Sequence, residues 1–125
     1  MCHRSALIIE DNLDLAVVFA QALQAAGYAT GIIEDGSQAL ARLAVATPDV
    51  VVLDLHISLV SGVEILRQIR ADARLDKTRV IVATADSRVP DALREQADLV
   101  LIKPVSFSQL RDLAARFSVP LLLGN

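Results

Sequence analysis

The sequence predicts one α/β domain, a parallel five-stranded sheet with helices on both faces. Three observations carry that prediction. Five short apolar runs alternate with five amphipathic stretches. The run Val50–Leu53 is β-branched and apolar on every side, as expected of a central parallel strand buried on both faces. Four of the runs end in a charged or hydroxylic residue, and open parallel sheets bind ligands beyond the carboxyl ends of their strands.

The elements follow in order. Ala6–Ile9 is a first strand, ending in Glu10-Asp11. Asn12 or Asp14 caps a helix to about Ala26, where Gly27 stops it. Ala16, Phe19, Leu23 and Ala26 recur on one face of that helix and belong to the core. Tyr28–Ile33 is a second strand. Gly36–Ala46 is a second helix with Ala39, Leu40 and Leu43 inward, and Pro48 closes it off. Val50–Leu53, the third strand, ends at Asp54. Gly62–Ala73 is a third helix, with Val63, Leu66 and Ile69 on one face. Val80–Ala83 is a fourth strand, ending at Thr84. Pro90–Gln96 is a short helix at most. Leu99–Ile102 is a fifth strand, ending at Lys103-Pro104, and Ser106 or Ser108 caps a last helix through about Phe117. Right-handed crossovers leave few topologies, of which the flavodoxin-like order 2-1-3-4-5 is the common one at this length.

Composition narrows the function classes. At 125 residues the chain is one domain, placed at residues 1–117, with 118–125 an apolar tail or the start of a linker. An apolar content of 54% and a mean hydropathy of +0.48 exclude disorder. A net charge of −3 makes a poor non-specific nucleic-acid binder, so no direct nucleic-acid contact is expected. The single cysteine, Cys2, excludes an internal disulfide and a multi-cysteine zinc site, and suits the cytoplasm. Cys2-His3 reads as an exposed, inert terminus. The uncharged run Ala16–Ile33 carries Gln21, Gln24, Thr30 and two glycines, so no membrane span is expected. No basic region followed by an apolar stretch suggests a signal peptide. The scarcity of charge on the first helix fits a plain alanine-rich helix or a homodimer face. The chain reads as a whole domain or one cut from a longer chain, with no DNA-binding motif following.

Strand ends bring Glu10, Asp11, Asp54, Thr84 and Lys103 to one edge. Three clustered carboxylates repel one another unless a cation joins them, and hard oxygen ligands suit Mg²⁺. An aspartate can act as a nucleophile toward phosphorus, giving an aspartyl phosphate. The transferred group then needs positive charge and donors, which Mg²⁺, Lys103 and the Thr84 hydroxyl supply. Singly, Asp54 is a cap or turn residue, Lys103 an ion-pair partner and Thr84 a strand-end residue. Together they are a site.

These residues resemble, in order, the receiver domain of the bacterial two-component response-regulator family. The resemblance rests on Glu10-Asp11, Leu53-Asp54-Leu55 with Gly62 eight residues past the aspartate, Thr84-Ala85, Ala97-Asp98 and Lys103-Pro104. It covers residues 5 to 117, and Thr84 follows Asp54 by 30 residues. It implies a phosphorelay phosphoacceptor rather than an enzyme in the ordinary sense. Asp54 would take a phosphoryl group from a histidine kinase or phosphotransfer protein. Glu10, Asp11, Asp54 and the His56 carbonyl would hold Mg²⁺. Lys103 would bind the phosphoryl oxygen, Thr84 would carry the switch, and a downstream output domain or protein would read it. A cis-like peptide would fall at Lys103–Pro104. His56 and Asp86 sit where the family tunes phosphoryl lifetime, and both also read as solvated loop residues.

Four positions depart from the family pattern. Ser58 replaces the usual proline after the nucleophile. Val100 stands where the switch aromatic usually lies. Lys103 follows Thr84 by only 19 positions, which shortens the fourth helix. Gln96 replaces a common glycine. The expectation is intact chemistry with an atypical output face; the alternative is a pseudo-receiver that binds partners without being switched. A haloacid-dehalogenase-like phosphatase is disfavoured by His56 in place of a second aspartate. A flavodoxin-like nucleotide binder is disfavoured by the absence of a glycine-rich loop after the first strand.

Overall fold

The computed structural model describes residues 4–57 and 59–118. Its strands are β1 (Arg4–Ile9), β2 (Tyr28–Ile33), β3 (Val50–Leu53), β4 (Arg79–Thr84) and β5 (Leu99–Ile102). Its helices are α1 (Leu13–Ala25), α2 (Gly36–Leu43), α3 (Gly62–Ala71), α4 (Asp91–Gln96) and α5 (Phe107–Ser118), with one 3₁₀ turn at Ala73–Leu75. All strand pairs are parallel and the order is β2-β1-β3-β4-β5, as the sequence predicts.

Strand alternation divides the core into two layers. Val50 and Val52 face one side with Ile8, Ile81 and Ala83, where Phe19 and Leu23 of α1 and Leu110 and Ala114 of α5 cover them. Val51 and Leu53 face the other side with Ile9, Val80 and Val82, under Ala39 and Leu43 of α2 and Ile65, Leu66 and Ile69 of α3. The Tyr28 hydroxyl crosses the first layer and donates to the Ala114 carbonyl at 2.9 Å.

Local chemistry sets the helix starts. Asn12, rather than Asp14, caps α1 by accepting from Leu15 N–H at 3.2 Å. Asp35 caps α2 through Gln38 N–H, Ser61 caps α3 through Glu64 N–H, and Ser106, rather than Ser108, accepts from Gln109 N–H. Three helix ends depart from expectation. α2 stops at Leu43, not Ala46, because its last buried residue is Leu43 and the Val45 side chain is exposed, its N–H closing a tighter turn on the Arg42 carbonyl at 3.1 Å. α3 stops at Ala71, not Ala73, because the Asp72 side chain caps the following 3₁₀ turn by accepting from Arg74 N–H. α5 reaches Ser118, one residue past the expected boundary.

α4 is short, as expected, and buries no residue. Its last residue is held from below. Arg70 on α3 donates to the Gln96 carbonyl at 2.7 Å, to the Thr78 carbonyl at 3.0 Å and to Asp98 Oδ2 at 2.9 Å. Asp98 also takes the Val80 N–H at 2.7 Å. Beneath so slight a helix the edge strand β5 stays only half-buried, and Ile102 is exposed. The readings of Cys2-His3, Ser58 and residues 119–125 lie outside the described residues.

Candidate functional site at the carboxyl edge of the sheet

Parallel pairing aligns the ends of β1, β3 and β4, with Ile9 beside Leu53 and Leu53 beside Val82. The residues just past β1 and β3 are therefore neighbours. The Asp54 N–H continues the ladder by donating to the Ile9 carbonyl at 3.0 Å. Glu10, Asp11 and Asp54 each present a carboxylate oxygen, and these oxygens lie within 4.8 Å of one another. Glu10 and Asp54 are 2% and 6% exposed, whereas Asp11 is open to solvent.

Lys103 enters from the end of β5. Its backbone N–H donates to the Thr84 carbonyl at 2.8 Å, and the Lys103–Pro104 peptide is cis. Its ammonium lies 2.8 Å from Glu10 Oε1 and 3.5 Å from Asp54 Oδ2. The second Glu10 oxygen accepts from Asn12 N–H at 3.2 Å, and Asp54 Oδ1 accepts from His56 N–H at 2.9 Å. Every buried side-chain polar atom among the described residues has a partner.

Charge in the pocket is out of balance, with three carboxylates against one ammonium. Burial pushes the Glu10 carboxyl above the usual range, and the Asp54 charge adds to this against the pull of Lys103 and the Asn12 N–H. Burial alone would lower the Lys103 ammonium. The hydrogen bond to Glu10 and the nearby carboxylate charges outweigh it and hold Lys103 above the ordinary lysine value. Both shifts go the way that excess negative charge drives them. A hard divalent cation bound through a few carboxylate oxygens meets this donor set and charge, so the residues fit Mg²⁺.

Thr84 is fully buried at the end of β4, and its hydroxyl accepts from Asp86 N–H at 3.2 Å. Val100 pairs with Val82 and packs, half-buried, with the core layer under α2 and α3. His56 is exposed. Asp86 is half-buried and ion-paired with Arg88, Nε to Oδ1 at 3.2 Å. Sequence reasoning missed Arg88, whose only signal was its place two residues past Asp86. It also missed how tightly Gly62 closes the site. A Cβ there would collide with the Asp54 carbonyl oxygen and lie 2.5 Å from Leu55 Cα, while the Gly62 N–H donates to the Leu55 carbonyl at 3.0 Å. Gly62→Ala is expected to lower stability by about 2 kcal/mol, the usual scale of overpacking. Urea unfolding would check it, and an unchanged midpoint would contradict it.

The sheet order and a lysine-backed acidic pocket at its carboxyl edge define a receiver class of signalling module. The chain belongs to that class by comparison as well: the response regulator receiver domain family matches residues 6–115. The transcriptional regulatory protein CutR of Streptomyces coelicolor is 39% identical over 122 residues, covering 92% of this chain and 55% of CutR. The signal receiver domain of a putative LuxO repressor protein from Vibrio parahaemolyticus superposes with a TM-score of 0.83 at 26% identity, over 93% of this chain and 90% of that one. The response regulator TrrA from Thermotoga maritima, solved in complex with Mg²⁺-BeF, superposes with a TM-score of 0.80 at 25% identity, over 91% and 98%. The chain spans about half the length of the curated relatives it matches. Among the described residues, no helix is long and apolar enough to cross a membrane.

Proposed function

We propose that this receiver domain accepts a phosphoryl group on Asp54 from a histidine kinase or phosphotransfer protein and thereby changes its binding to an output domain or protein. The observation that carries this reading is the pocket of Glu10, Asp11 and Asp54, joined by the Lys103 ammonium. An Asp54 carboxylate oxygen forms the bond to phosphorus as the bond from phosphorus to the donor breaks, and the donor's leaving group departs with that electron pair. His56 N–H, at 2.9 Å from Oδ1, orients the carboxylate. Glu10, Asp11, Asp54 and the His56 carbonyl would hold Mg²⁺, which supplies positive charge toward the transferred oxygens. Lys103 meets the phosphoryl group, and the Thr84 hydroxyl turns toward it. His56 and Asp86 flank the loops and tune its lifetime.

We assign the receiver unit to residues 1–117, with 118–125 an apolar tail or the start of a linker, and infer that the domain works in the cytoplasm without touching nucleic acid itself. A homodimer is one form the switch can take. A second reading, an interaction module that phosphorylation does not switch, is favoured by Val100 in place of a bulky ring and by an α4 that buries nothing.

Intact mass after incubation with acetyl phosphate and Mg²⁺ tests the proposal. The expected result is a gain of one phosphoryl group, released by hydroxylamine and absent with EDTA. No gain, together with no beryllofluoride binding, would overturn it in favour of the second reading.

A further inference from the structure

We propose that Arg88 is a positioning residue that neutralises and holds Asp86 beside the Asp54 loop, keeping the approach open to an anionic phosphodonor. The inference rests on the phosphoacceptor reading. A cavity of about 310 Å³ beside the site is walled by Leu55 and His56, which follow Asp54, by Thr84, and by Asp86 and Arg88 on the loop to α4. Asp86 is tied to the switch threonine through its N–H on Thr84 Oγ1 at 3.2 Å.

Arg88 occupies both oxygens of Asp86. Its backbone N–H donates to Oδ1 at 2.9 Å, its Nε to the same oxygen at 3.2 Å, and its Nη2 reaches Oδ2 at 3.5 Å. These bonds, the backbone one first, hold the Asp86 carboxyl below its ordinary range, with His56 adding its charge. The pair contributes little to stability, because the Arg88 side chain is 89% exposed. Its effect is on the local field. With the Arg88 guanidinium removed, Asp86 adds a carboxylate without a cationic partner beside a pocket that already holds three carboxylates against one ammonium, and the incoming donor is itself an anion.

The test is the initial rate of loading by acetyl phosphate at saturating Mg²⁺ and low salt. Arg88→Ala is expected to load about threefold more slowly, the scale of one unscreened charge several ångströms from an anion in water. The deficit should shrink at about 0.5 M salt, where screening acts over roughly 4 Å. Arg88→Lys should recover most of the rate, and adding Asp86→Asn to Arg88→Ala should remove the deficit. Equal rates for Arg88→Ala and the unaltered chain would overturn the inference, as would a deficit that ignores salt and survives Asp86→Asn. An unaltered chain that takes up no phosphoryl group would instead overturn the phosphoacceptor reading and this inference with it.

Discussion

Asp54→Asn is expected to take up no phosphoryl group from acetyl phosphate under conditions that load the unaltered chain. The substitution is nearly isosteric, and the amide oxygen still accepts the His56 N–H that now lies 2.9 Å from Oδ1. What it removes is the anionic oxygen able to bond phosphorus. A neutral amide is a far poorer nucleophile, so loading should fall by at least roughly 100-fold, comparable to losing a nucleophile elsewhere. The fold should survive. Lys103 keeps its shorter contact to Glu10, at 2.8 Å against 3.5 Å to Asp54. One carboxylate fewer also eases the repulsion in the pocket, so the thermal midpoint should hold or rise slightly. A hydroxylamine-labile label that persists in Asp54→Asn would show that another residue is the acceptor.

Lys103→Ala is expected to act on stability as strongly as on signalling. Among the described residues Lys103 is the one ammonium in the pocket, and Glu10 beside it is 2% exposed. Taking away one partner of a buried pair leaves the other charge uncompensated, which costs about 3 kcal/mol. In a chain of this size that lowers the melting temperature by roughly 10 °C without divalent cation. Glu10, Asp11 and Asp54 all remain, so Mg²⁺ should still bind. It should also raise the melting temperature of the variant more than that of the unaltered chain, because it replaces the missing positive charge. Thermal melts in EDTA and in Mg²⁺ separate these outcomes. Equal Mg²⁺ shifts in both proteins would mean that Lys103 does not offset the acidic cluster. After loading, the variant should show a weakened phosphorylation response.

The site was legible because its residues lie one step past apolar runs. Glu10, Asp54 and Lys103 each follow a strand directly, and a parallel sheet carries such positions to one edge. Helix starts were legible to within a choice of residues. Asn12 prevailed over Asp14 and Ser106 over Ser108 because only one side chain of each pair accepts from a free N–H of the first turn. Helix ends were less so. Apolar spacing carried α2 to Ala46, but Leu43 is the last buried residue of the helix, and Ala44 and Val45 after it are exposed. Nothing local announces Leu59, a non-glycine residue held at φ 73° in the loop after Asp54.

Contacts between side chains far apart in sequence were not legible. Arg70 joins α3 to Gln96, Thr78 and Asp98, and the Tyr28 hydroxyl finds the Ala114 carbonyl 86 residues away. The sequence by itself determined the strand order, the alternation that makes two core layers, and the identity of the acidic edge. Periodicity and the handedness of crossovers are local or topological rules that residue types obey directly. Only the tertiary structure decided that Lys103 sits nearer Glu10 than Asp54, that Gly62 closes against Asp54, that Arg88 covers Asp86, and that α4 buries nothing. Those outcomes depend on ångström-scale distances between separate elements. They are set by how helices settle on the sheet and by how buried charges find partners, which no spacing along the chain records.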